Sequence, residues 1–171
     1  MTEEGSMFKH ILVTLDGSSY GERALAYVAD LAGPLSARVT LLGVVPAEDS
    51  PMHGTSESGA QDKQSQLARK YLDRHVSELT SGGVQNVAAE VRAGSPARAI
   101  VEAARELTAD LILMSTQGLG ADEDEQGLGG VASKVLRTAP CPVFMVRIHR
   151  PEPPRSLAEE RWQDEGGGHV G

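Results

Sequence analysis

Three short stretches hold the residues through which this chain could do chemistry. Asp16-Gly17-Ser18 follows one apolar run, Gly43-Val44-Val45 closes another, and TQGLGADEDEQGLGG, beginning at Thr116, follows a third. Glycines there let backbone N–H groups approach a phosphate, and a helix starting at Gly129-Gly130 would add the positive end of its dipole. The chemistry on offer is anion binding rather than bond breaking. A plain tight connection between strand and helix would use the same glycines, so spacing alone leaves both readings open. Asp16 reads either as a turn and helix-entry residue or as a ligand contact. No second acid, base or metal cluster accompanies it, which argues against a catalytic carboxylate. The histidines at 10, 53, 75, 149 and 169 show no ligand spacing. Cys141, the sole cysteine, has no base in its sequence context and reads as a small buried filler beside a strand.

The elements that must position these residues alternate along the chain. HILVTL (His10–Leu15) and RVTLLGVV (Arg38–Val45) are apolar, β-branched runs of the kind buried on both faces of a sheet. Between them, Ser19 and Glu22 have capping-box spacing, apolar residues recur at helical intervals, and Gly33-Pro34 stops the helix. Residues 46–60 form a long polar loop, and residues 61–80 a second helix with Leu67, Tyr71, Val76 and Leu79 at helical spacing. A weaker strand spans 86–92, and Ser95-Pro96 opens a third helix that turns Ile100, Val101, Ala104 and Leu107 inward. A fourth strand covers 110–115, a short helix about 131–137, and a last strand 143–147, from Val143 to Arg147. Alternating strands and helices demand a parallel sheet with helices on both faces. In such sheets ligands sit beyond the carboxyl ends of the strands, where strand order reverses.

Composition narrows the partners. The 171 residues carry a formal net charge of −8, which disfavours nucleic acid and anionic membrane alike. Aromatics make up 4%, so the core must be built from Leu, Val, Ile and Ala. The first ten residues lack the apolar segment of a signal peptide, and no apolar stretch reaches the ~20 residues that span a bilayer. The expected location is cytoplasmic.

Four blocks carry a resemblance. VTLDGSSYGERAL, VTLLGVV, RAGSPARAIVEAARELTADLILMSTQG and GGVASKVLRTAPCPVFMVR resemble, in order and spacing, successive blocks of the universal stress protein family over residues 7 to 147. The resemblance implies a single α/β domain (7–149), after a short extension (1–6), built on a five-stranded parallel sheet, while the prolines, charges and glycine run from Pro151 onward read as a flexible tail (150–171). The sheet would be Rossmann-like, of the adenine nucleotide alpha hydrolase-like type. It implies a homodimer through the last strand and a non-catalytic stress-response regulator. The alternative is a dimeric regulator that works through an unknown protein partner without nucleotide. An enzyme is not expected: no Gly-Lys-Ser/Thr loop is present, and a receiver would carry its acceptor aspartate after the third strand.

One branch of the family binds ATP through G-x-x-G-x9-G-[S/T]. The matching residues are Ser115, Gly118, Gly129 and Gly130, with three departures. Ser115 replaces the first glycine, ten residues rather than nine separate Gly118 from Gly129, and Gly130 replaces the hydroxyl residue. Losing a hydroxyl bond to phosphate costs about 1.5–3 kcal/mol, or about ten- to a hundredfold in affinity. Backbone N–H groups of Gly129, Gly130 and Val131 would remain. By the resemblance Asp16 lies near ribose and adenine with Thr14 and Leu15 beside it, and Val44 packs on the base. Met114 and Ser115 end the fourth strand. The implied ligand is ATP, with Mg2+, or AMP or ADP. The acidic run 122–125 reads as a flexible tip that opposes anions unless a hard cation bridges them.

Overall fold

A computed structural model describes residues 7–47, 59–118 and 127–147. The extension, the tail, the acidic run and most of the long loop lie outside them. The first apolar run is β1 (His10–Leu15), buried almost throughout because it occupies the centre of the sheet. β2 (Arg38–Val45) has the predicted bounds, while β3 (Val87–Ala93), β4 (Leu111–Ser115) and β5 (Val143–Val146) shift by a residue at one or both ends. The order is β3-β2-β1-β4-β5, every pair parallel. The edge strand β3 is largely half-buried, which explains why its sequence reads as a weaker strand than β1 or β4.

The helical region after β1 is broken into α1 (Ser19–Glu22), a 3-10 stretch (Arg23–Tyr27) and α2 (Val28–Ala32). α3 (Ala60–Ser81) is followed by Gly82 and by Gly83 at φ +94°, where glycine is favoured. α4 (Pro96–Glu106) opens on proline, and α5 (Gly130–Thr138) on glycine. Alternation along the strands sends Ile11, Val13, Leu41 and Leu113 to one core cluster, with Val28 and Leu72. Leu12, Leu42, Ile112 and Met114 go to the other, with α4 and α5 residues such as Ile100 and Val135. Leu67, one of the four apolar residues at helical spacing on α3, is 58% exposed. No helix among the described residues is long and apolar enough to cross a membrane.

Candidate functional site

Strand pairing decides where the sheet opens. β1 pairs with β4 only from Ile11↔Leu111 to Val13↔Leu113, yet it stays with β2 as far as Leu15↔Gly43. Beyond Val13 the two central strands part toward helices on opposite faces. This is the reversal point of the strand order, and a cavity of about 800 Å³ lies there. Thr14, Leu15, Asp16, Val44, Met114, Ser115, Gly118, Gly129, Gly130 and Val131 all line it. Gly43 does not; its hydrogen faces Leu72, whose Cδ1 would lie 3.3 Å from an added Cβ. The sequence reading missed Gly94, Ser95 and Pro96, which turn from β3 into α4, together with Ile100 and Leu42. Ser95-Pro96 was visible as a helix start. Its place over the cleft depends on the strand order, which has no local signal.

Asp16 organises one end of the cleft. Its Oδ1 accepts from the Ser18 N–H (3.0 Å) and the Ser18 hydroxyl (2.6 Å), and Ser18 Oγ accepts from the Gly21 N–H (3.0 Å). The cap of α1 is thus Ser18, not the Ser19 favoured by spacing to Glu22. Asp16 draws the earlier serine into place, a contact that capping-box spacing does not register. Gly118 packs against the same carboxylate so closely that a Cβ there would collide with Oδ2. Ser18→Ala is expected to cost about 1 kcal/mol and to lower the melting temperature by about 2–4 °C in a thermal scan.

The loop beside Asp16 is lined by backbone. Ser115, which is buried, donates its hydroxyl to the Gln117 carbonyl, so it closes its own loop. The Gly129 N–H donates to the Thr116 carbonyl at 2.8 Å, and a Cβ on Gly129 would meet that oxygen at 3.2 Å. α5 starts immediately afterwards without a side-chain cap. A Cβ at Gly130 would meet nothing within 4 Å, so the position has room for the hydroxyl it lacks.

Charge in the cleft is sparse. Asp16 is the one ionisable side chain among the described lining residues. Tyr71 on α3 has its phenol pushed well above the ordinary range, by burial first and then by Glu22, with Asp16 contributing. It therefore holds its proton at neutral pH and is a poor proton donor. Burial, followed by Asp110, likewise raises the Cys141 thiol. Cys141 is half-buried against the second cluster rather than fully enclosed. His10 is pinned between the Leu107 carbonyl (2.9 Å) and Thr40 Oγ1 (2.8 Å), and His75 against Glu78 (2.7 Å), so both serve packing. The other three histidines lie outside the described residues. Among the described residues no group of three or more His, Cys, Asp or Glu side chains could hold a metal ion.

A model of the universal stress protein family matches residues 7–147, which is 141 of 171 residues and spans every strand above. The chain belongs to the universal stress protein family. A Staphylococcus epidermidis protein named for this family is 29% identical over 165 residues, covering 92% of this chain and 98% of its own length. A solved universal stress family protein from Burkholderia pseudomallei is 34% identical, with a TM-score of 0.62, covering 83% of this chain and 98% of its own. The universal stress protein from Archaeoglobus fulgidus in complex with dAMP shares the fold, at 20% identity and a TM-score of 0.56 over 81% of this chain and 98% of its own. The universal stress fold thus accounts for the five-stranded parallel sheet.

Proposed function

We propose that the cleft binds an adenine nucleotide, and that the protein acts through binding, as a cytoplasmic stress-response regulator without catalysis. The observation that carries this reading is the open cavity where β1 and β4 part. Asp16, Val44 and the close-packed backbone of Gly118 and Gly129 all line it, with Gly118 directly against the Asp16 carboxylate. An apolar wall with few polar groups is the usual form of a small-ligand site. Leu42, Val44, Ile100 and Met114 provide a surface for a base, while the α5 N-terminus offers N–H groups to a phosphate.

The test is direct. Purified protein is heat-denatured and its supernatant analysed for nucleotide, then fresh protein is titrated by calorimetry with AMP, ADP, dAMP, and ATP with Mg2+. Adenylate in the supernatant, or binding at millimolar concentration or below, is the expected result. The absence of both would overturn the reading. Steady phosphate release from ATP, lost in Asp16→Ala, would overturn the non-catalytic part. Ser115 and Gly130 favour a second reading, a nucleotide-independent regulator that contacts a protein partner. It gains ground if every titration is flat. Either way we assign a homodimer through β5, whose outer edge is unpaired in the sheet order and carries Phe144 at 40% exposure. A monomer at micromolar concentration by light scattering would contradict that assignment.

A further inference from the structure

The walls of the cleft carry one more message, which concerns charge. Building on the adenine-nucleotide reading, we propose that the cleft selects its ligand by phosphate count, taking a nucleoside or nucleoside monophosphate in preference to the triphosphate. Sites that hold polyphosphates normally surround them with Lys or Arg, or with a bound metal, to offset the loss of water around several negative charges. Here no Lys, Arg or His is among the described residues that line the cavity, and the one charged residue is acidic.

Two segments that continue the lining in sequence add no Lys or Arg. Residues 119–126, which join the lining residues Gly118 and Gly127, contain four carboxylates and no Lys or Arg. Residues 48–58, which follow the lining residues Pro46 and Ala47, contain Glu48, Asp49 and Glu57 and again no Lys or Arg.

The remaining attraction for an anion comes from main chain. The start of α5 presents the N–H groups of Gly130, Val131 and Ala132 without a capping side chain, enough for a single phosphate group. Gly130 leaves open space where a hydroxyl would reach a further phosphate oxygen. Each phosphate beyond the first adds negative charge to a cleft whose described lining residues offer Asp16 and no cation. At separations of about 8 Å such repulsion is weak in water, stronger beside an apolar wall, and screened by salt. The apolar panel of Leu42, Val44, Ile100 and Met114 is indifferent to phosphate count, so it contributes alike to every member of the series and leaves the selection to charge.

Calorimetric titration of the full chain with adenosine, AMP, ADP and ATP, all with EDTA, tests this. At 50 mM NaCl adenosine and AMP should bind within about threefold of each other, and ATP about tenfold or more weaker than AMP. At 300 mM NaCl the gap should narrow as screening removes the repulsion. Asp16→Asn should bring the AMP-to-ATP ratio to within about threefold, whatever it does to absolute affinity. Gly130→Ser should raise ATP affinity relative to AMP, since its hydroxyl enters open space. ATP binding as tightly as AMP, or tighter, overturns charge selection while leaving the adenylate site intact. Silence with all four ligands, adenosine included, overturns the adenylate reading itself. A ratio unmoved by Asp16→Asn in a protein with unchanged circular dichroism overturns the part given to the carboxylate.

Discussion

Gly118→Ala is expected to weaken adenylate binding by at least about tenfold while the sheet stays folded. An added Cβ would drive into the Asp16 carboxylate. The main chain has little room to yield, because the same loop is tied through the Gly129 N–H to the Thr116 carbonyl at 2.8 Å. Asp16 must therefore rotate, leaving the Ser18 N–H and hydroxyl that it holds at 3.0 and 2.6 Å. One methyl group would thus disturb the ligand face of the cleft and the cap of α1 together. Calorimetry reads the first effect and a thermal scan the second, with a stability loss of about 1 kcal/mol. Gly127→Ala is the control, since a Cβ there meets nothing within 4 Å. In an Asp16→Gly background the stability cost of Gly118→Ala should largely vanish, because the colliding partner is gone. Wild-type affinity in Gly118→Ala would refute the geometry.

The largest loss of stability is expected from Leu72→Ala, at about 2–5 kcal/mol. α3 is long but lightly anchored. Leu72 is its fully buried apolar side chain, while Tyr71, Val76 and Leu79 are half-buried. Its exposed Arg69–Asp73 and Arg74–Glu78 pairs contribute only a few tenths of a kcal/mol each. Leu72 inserts where Gly43 leaves β2 without a side chain. Truncating it opens a void over the centre of the sheet, and the urea midpoint should fall by about 1–2 M with the slope unchanged. Gly43→Ala should be damaging in the wild type and milder, even favourable, beside Leu72→Ala, because the new methyl would occupy vacated space. A midpoint within 0.3 M of wild type, taken as about the resolution of such curves, would mean that other contacts dock α3.

How much of this was legible depends on how local the signal is. β1 and β2 were read at their true bounds because each is an unbroken apolar run closed by turn residues or charge. The ten expected cleft residues lie at strand ends or helix starts, and the strand order gathers them all. Whether they touch a ligand is the matter of the proposal. What the sequence hid was tertiary. The Gly94-Ser95-Pro96 turn lies over the cleft only because β3 sits beyond β2. Ser18 displaced Ser19 as a cap because Asp16 holds it, and Leu67 faces water despite its helical spacing. Tandem serines and a heptad-like stripe look alike whichever member faces inward.

The two core clusters share the cleft unequally. Leu42, Ile100, Met114 and Ala132 belong to the cluster beneath α4 and α5, whereas Leu15 represents the other. A guest between the strands would therefore brace one half of the molecule. Amide protons of α4 and α5 would trade with deuterated solvent more slowly, while those of α3 kept their pace. Stiffening would be lopsided, felt on one side of the sheet and hardly at all on the other.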